Sequence, residues 1–208
     1  ALWDKGVREY FEAAKEIKKK NPNTEFWFLG KIGVPNPTAV PKEFVDEYVE
    51  KGIINYLGVT DNVADIVKEA DCFVLPSYRE GISRVIMEAA SMEKPVIATD
   101  VPGCSELVDR GINGYLCNSK DSKSLEKSMD EFLKLSNEEK SQMGLAGREK
   151  MRREFSLKKV SEVYINFLNN IKKKLFTHED YLSMHKKLGA LVLINVIYTI
   201  FDLYKGGC

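Results

Sequence analysis

Five short apolar runs punctuate the first 120 residues, at 25–29, 53–57, 72–75, 95–99 and 115–117. Gly30, Gly58 and Pro76 close the first three. The stretches between them carry helical spacing instead. Val7, Tyr10, Phe11, Ala14 and Ile17 predict an amphipathic helix over residues 5–20, ended by Asn21, Pro22 and Asn23. After a Pro-rich loop at 33–41, Phe44, Val45 and Tyr48 predict a second helix over 42–51. Further helices are expected at 61–70 with Asp61 as cap, at 83–92, and at 105–110 with Gly111 as stop signal. Beyond Cys117 the chain reads as helical. Strands alternating with helices predict an α/β fold, a Rossmann-like parallel sheet with helices on both faces and a helical C-terminal extension. Ligands of such sheets bind beyond the carboxyl ends of the strands. Here that rim is Gly30 and Lys31, then Gly58, Val59 and Thr60, then residues 76–81 and 99–103.

Composition excludes several classes. With 208 residues and 44% hydrophobic side chains, the chain suits one domain plus an appendage. Lys and Arg number 31 and so do Asp and Glu, so no global basic field recommends nucleic acid. Basic residues cluster at 15–20, 150–155 and 171–174. The first cluster reads as the solvated face of a helix, and the others leave open an anionic membrane surface. Cys72, Cys104, Cys117 and Cys208 form no C-x-x-C pair, which points away from zinc and from a disulfide scaffold. Cys72 and Cys117 read as buried thiols. Cys104 lies near an expected helix start that would lower its pKa, although a small inert residue is the favoured reading. The chain has no D-x-D, and His178 and His185 both lie in the tail, so metal-dependent and histidine-based mechanisms are disfavoured. The frame of a P-loop is missing at Gly30–Gly33. No signal peptide is visible, and a cytoplasmic location is expected.

One unit on the rim carries chemistry. After the strand ending at Pro76 comes a polar loop and then EGISRVIME, residues 80–88. Gly81 lets backbone approach a ligand, and the helix beginning near Ser83 directs N–H groups and a dipole that favour phosphate. Glu88, one turn beyond Arg84, is placed to take ribose hydroxyls. Each residue has a plainer reading. Glu80 could cap the helix, for about 0.3–1 kcal/mol. Glu88 could pair with Arg84, for about 0.3–0.5 kcal/mol. Lys5 could be a surface lysine. Arg79 and Arg84 could add positive charge to the seat or pair with Glu80 and Glu88.

These residues resemble the retaining family-4 glycosyltransferases of the GT-B fold, in their C-terminal, donor-binding half. Glu80 and Glu88 match that family's E-x7-E signature, residues 95–117 resemble the segment that follows it, and Trp3–Gly6 resembles the lysine end of its Arg…Lys pair. The resemblance covers about residues 1–170. It implies Glu80 and Lys5 as catalytic residues, and Glu88 and the backbone N–H groups of Gly81, Ile82 and Ser83 as donor-binding ones; Arg84 flanks these as a further donor-binding candidate, and the strand-end rim adds Gly30, Val59 and Thr60, the last two for the base. It implies no cofactor and no metal. The implied partners are a nucleotide-sugar donor, expected to be UDP-linked, and a glycan or lipid-linked acceptor of bacterial surface polysaccharide biosynthesis. The expected arginine before Lys5 is absent, as are the domain's first strand and the N-terminal acceptor domain. The chain therefore reads as a fragment or excised domain, expected to bind donor but to turn over poorly alone. Two rival readings stand beside this one: a non-catalytic nucleotide-sugar binding module, and another GT-B reaction such as epimerisation or phosphorolysis.

The expected organisation is a donor domain over 1–175 and an apolar helical tail over 176–208. Residues 188–201 are uncharged but too few for a membrane span of ~20 residues. Contact with the missing N-terminal domain is the favoured reading of the tail, and a peripheral position on the inner membrane face is the alternative.

Overall fold

Side chains that alternate across three parallel strands set the architecture of this protein, whose computed structural model describes residues 1–175. A 3-10 turn at Trp3–Lys5 leads into α1 (Val7–Lys20), followed by β1 (Trp27–Leu29) and α2 (Lys42–Glu50). Next come β2 (Asn55–Gly58), α3 (Val63–Glu69), β3 (Phe73–Leu75), α4 (Arg84–Ser91), β4 (Val96–Thr99) and β5 (Gly114–Cys117). The helices α5 (Ser122–Leu133), α6 (Asn137–Glu154) and α7 (Leu157–Leu175) complete the described chain. Every strand pairing within these elements is parallel, as the alternation of strand and helix predicts. Residues Ala1–Ser156 form one compact unit, and Leu157 begins a second. The expected apolar tail over 176–208 lies outside the described residues.

β4 lies between β3 and β5, with Val74 opposite Ile97 and Ile97 opposite Tyr115. Val74, Ile97, Tyr115 and Cys117 join a cluster with Phe11, Ala14 and Ile17 of α1 and Leu125, Met129 and Phe132 of α5. Their neighbours Phe73, Leu75, Val96, Ala98 and Leu116 point the other way, to Ile86 and Ala90 of α4 and Met151 of α6. A strand buried on both faces needs a helix layer on each, and this sheet has both. Glycine permits the close contacts. A β-carbon at Gly114 would lie 1.9 Å from the Val96 carbonyl oxygen, and one at Gly144 would lie 2.0 Å from that of Glu93. The basic run at 150–155 belongs to this packing: Lys150 is 7% exposed and holds Asp109 at 2.7 Å.

Some local expectations fail. The five strands fall into two hydrogen-bonded groups, β1–β2 and β3–β4–β5, rather than one sheet. Residues 105–110 form no helix: turns end at Leu107, and Arg110 makes an isolated parallel bridge to Gly114. There the Asn113 side chain accepts from the Asp109 N–H and donates to the Leu107 carbonyl, occupying groups a continuing helix would use. Asn62, not Asp61, precedes α3, and it forms no side-chain cap. Lys20 is not simply solvated: it bridges to Glu126 and Asp130 of α5.

Candidate functional site

Lys5 reaches the rim because its turn is clamped from several sides. Trp3 stacks edge-on against Phe44 with ring centroids 4.9 Å apart, and Arg8 lies over the Trp3 ring. Phe11, two turns further along α1, packs against Phe28, Phe44 and Tyr48. Gly6 then turns the chain at φ 71° with the Pro76 carbonyl directly against it, so that a β-carbon would sit 2.0 Å from that oxygen. The loop after β3 is keyed to the same turn: the Tyr78 N–H donates to the Asp4 carbonyl at 2.8 Å. The Tyr78 hydroxyl donates to both oxygens of Glu9, at 2.8 and 2.9 Å. Burial first, and then this bond, push the Tyr78 hydroxyl up to about 12.

The outcome is a pairing of residues 75 positions apart. Lys5 Nζ and Glu80 Oε1 are 2.7 Å apart, with the Glu80 side chain 15% exposed and that of Lys5 45%. Beside them, α4 begins with an unfinished first turn. Ser83 is its N-cap residue, but the hydroxyl makes no capping bond. Ser83 Oγ and Ser77 Oγ are buried and have no hydrogen-bond partner among the described residues. Buried hydroxyls are ordinarily satisfied. Both oxygens are closed off from solvent, so the feature of this place that can receive an anionic oxygen is the set of uncapped first-turn N–H groups of α4.

The seat is braced from behind by the β4–β5 connection. Gly103, at φ 84°, packs backbone to backbone on the loop: a β-carbon there would lie 1.6 Å from the Gly81 carbonyl oxygen. The Gly103 carbonyl accepts from the Ser83 N–H at 3.0 Å, while Glu106 receives the Gly103 N–H. Thr99 Oγ1 donates to the Ser77 carbonyl. One of the three amides expected to face a ligand, that of Ser83, is thus already engaged. The first-turn amides of Arg84 and Val85 are the better candidates.

The remaining sequence candidates fall as follows. Gly81, Ile82, Arg84 and Glu88 are all exposed. Among the described residues neither Arg79, Arg84 nor Glu88 enters an ion pair, so the expected alternative of an Arg84–Glu88 bridge does not form. Gly30, Val59 and Thr60 lie at the carboxyl ends of β1 and β2, the separate strand pair. Gly30 N–H donates to the Gly58 carbonyl, Val59 is 66% exposed, and Thr60 Oγ1 accepts from the Asn62 N–H. None of these bonds connects them to Lys5 or Glu80. Gly6, Ser77, Tyr78 and Gly103 fall in the motif or on the rim read from the sequence, but that reading gave them no role. A Pro-Gly pair at 102–103 signals a turn, but nothing local shows that its partner is Gly81.

Cys104 departs from the helix-start reading. It is fully buried, and burial pushes its thiol up to about 11, with the Glu80 charge adding to the effect. A raised thiol pKa depletes the thiolate below it, to about one part in a thousand at pH 8. Iodoacetamide should therefore leave Cys104 unlabelled in the folded protein at pH 8, with labelling rising only toward pH 11. Labelling at pH 7 at the rate of a free thiol, read by mass spectrometry, would contradict this burial.

Residues 1–135 match the family described as Glycosyl transferases group 1. The chain is 32% identical over 146 residues to N,N'-diacetylbacillosaminyl-diphospho-undecaprenol alpha-1,3-N-acetylgalactosaminyltransferase of Campylobacter jejuni, covering 70% of this chain and 36% of that protein. It is 26% identical over 173 residues to the capsular polysaccharide biosynthesis glycosyltransferase CapM of Staphylococcus aureus, covering 82% and 44%. The chain thus spans between about a third and a half of the length of these curated relatives. In fold it is similar to Anabaena Alr3699/HepE, solved in complex with UDP, with a TM-score of 0.69 at 20% identity over 80% of this chain and 45% of that one. It is similar also to the C-terminal domain of a group 1 glycosyl transferase, LpcC of Francisella tularensis, with a TM-score of 0.65 at 22% identity, covering 76% of this chain and 83% of that domain. The parallel α/β architecture is therefore that of GT-B glycosyltransferases.

Proposed function

The chain belongs to the glycosyl transferases group 1, and on that footing we propose that it forms the donor-binding half of a retaining, metal-independent glycosyltransferase. Its donor is a nucleoside diphosphate sugar, with UDP preferred. Its acceptor is a glycan or a lipid-linked sugar of bacterial surface polysaccharide biosynthesis. The observation that carries the reading is the Lys5–Glu80 pair, 2.7 Å apart, set against the uncapped start of α4. A similar structure in complex with UDP supports the choice of nucleotide, and the relatives' names support the choice of pathway.

The roles follow from charge. The diphosphate lies against the Arg84 and Val85 amides, with Arg79 and Arg84 near its oxygens. Lys5 turns from Glu80 to the diphosphate and offsets the charge that develops on the leaving oxygen. Glu80, released from Lys5, faces the sugar and stabilises positive character at the anomeric carbon. The bond from that carbon to phosphate breaks with its electron pair going to the diphosphate. The acceptor oxygen bonds to the same face, and its proton passes to the departing diphosphate. Glu88, exposed and unpaired, takes the ribose hydroxyls, while Val59 and Thr60 border the base.

The same reading accounts for the divided sheet. Among the described residues β1 pairs only with β2, and β3 only with β4. A further parallel strand between β1 and β3 would complete a doubly wound order. The compact unit of residues 1–156 then carries the donor site, and the acceptor is held by a second domain. Thermal-shift measurements with UDP, GDP and ADP test the proposal on this chain. The expected result is a raised melting midpoint with UDP, growing with its concentration as a ligand of the native state requires. No shift with any of the three nucleotides would contradict it.

A further inference from the structure

We propose that Glu9 is a positioning residue of the donor site, holding Tyr78 so that the Lys5 turn and the Glu80 loop meet at a fixed spacing. The role rests on the donor site proposed above. Lys5 ends the 3-10 turn before α1, and Glu80 follows Tyr78 by two positions in the loop after β3. The pair lies 75 positions apart in sequence, so an approach of 2.7 Å needs a cross-tie between the two segments. Backbone supplies part of it, through the Gly6–Pro76 approach and the bond from the Tyr78 N–H to the Asp4 carbonyl. Side chains add the rest. The Tyr78 hydroxyl donates to both oxygens of Glu9, in the first turn of α1, at 2.8 and 2.9 Å.

Glu9 is 7% exposed, and a carboxylate withdrawn from water is costly unless its hydrogen bonds are made. An aliphatic side chain would pack α1 against the loop without that cost. The carboxylate adds direction instead: its bond forms only over a narrow range of distance and angle, and so sets the loop in register with α1. Burial, and then the bond to Glu9, keep the Tyr78 hydroxyl protonated and a donor across the neutral range. A third element closes on the same ring. Lys120, in the connection after β5, places its ammonium 5.1 Å from the Tyr78 ring centre. It does so at φ 60°, a left-handed conformation unfavourable to a residue with a side chain, which persists where the surrounding structure enforces it. Tyr78 is thus held from α1, from the Lys5 turn and from the end of β5, two residues before Glu80.

Isothermal titration of the full 208-residue chain with UDP and UMP tests this. UMP lacks the second phosphate, so the ratio of the two affinities reads where Lys5 is held rather than whether the chain is folded. Tyr78→Phe keeps the ring beneath Lys120 and removes only the hydroxyl. It should cut the UDP preference on the order of three- to ten-fold, with UMP affinity unchanged. Glu9→Gln keeps an oxygen acceptor for the hydroxyl and should hold the preference within about two-fold of the parent. Glu9→Met with Tyr78→Phe leaves neither a buried charge nor an unpaired hydroxyl, and so guards against misfolding of the single variant. It should melt near the parent and show the reduced preference of Tyr78→Phe. A double variant that favours UDP as strongly as the parent would overturn the proposal and leave the donor site standing. So would a Glu9→Gln chain that loses as much preference as Tyr78→Phe, since charge rather than the bond would then be responsible. A parent chain that binds UDP and UMP equally would overturn both the proposal and the donor site.

Discussion

Glu80→Gln, made in the full-length protein, is expected to lower the rate of sugar transfer on the order of 10²–10³-fold while leaving UDP affinity unchanged or tighter. The reason lies in the ion pair. Glu80 holds Lys5 at 2.7 Å when no donor is present. Glutamine keeps the size and hydrogen-bonding shape of the side chain but not its charge. Lys5 then meets the diphosphate without first leaving a carboxylate, so ground-state binding does not suffer. The carboxylate's contribution to the cationic transition state disappears. Measured kcat and donor KM separate the two effects. Turnover that survives while donor affinity falls would reduce Glu80 to a binding residue and favour a non-catalytic role for the site.

Gly103→Ala should be the most damaging single methyl group in the compact unit. At φ 84° an alanine is strained, and its β-carbon would sit 1.6 Å from the backbone oxygen of Gly81. Neither atom belongs to a flexible side chain, so the 80–83 loop or the 101–105 turn has to move. Strain of this kind and loss of the Ser83–Gly103 bond together cost about 3 kcal/mol or more. For a unit of this size that corresponds to a fall in melting temperature of about 6–12 °C. UDP binding should fall with it, because the loop carries Glu80 and the start of α4. A variant within about 0.5 kcal/mol of the parent in urea denaturation, with UDP affinity intact, would show that the brace is dispensable.

Much of the fold was legible because local chemistry and tertiary demand agree. Apolar runs of three to five residues between glycines and prolines became strands, and the period of α1 and α2 became the aromatic packing around Phe11. The misses occur where a distant partner decides. Residues 105–110 carry helix-compatible side chains, yet Asn113 takes over their backbone groups. The two strand groups could not be separated by any pattern, since pairing leaves no mark on a strand's own sequence. In the site, Glu80 and the start of α4 were readable from strand, loop and glycine. Lys5 was not, being 75 residues away, and entered through resemblance alone. The engagement of the Ser83 amide and the bracing by Gly103 are backbone contacts between segments some 20 residues apart, which side-chain identities do not report.

The central claim is that Lys5 and the head of α4 form a seat for a diphosphate. Isothermal titration of this chain with UDP and with UMP, repeated on Lys5→Ala, tests it most directly. The account predicts that UDP binds at least about ten-fold more tightly than UMP, and that Lys5→Ala removes most of that difference while leaving UMP binding in place. Equal affinity for UDP and UMP, or a UDP preference that persists without Lys5, would contradict it.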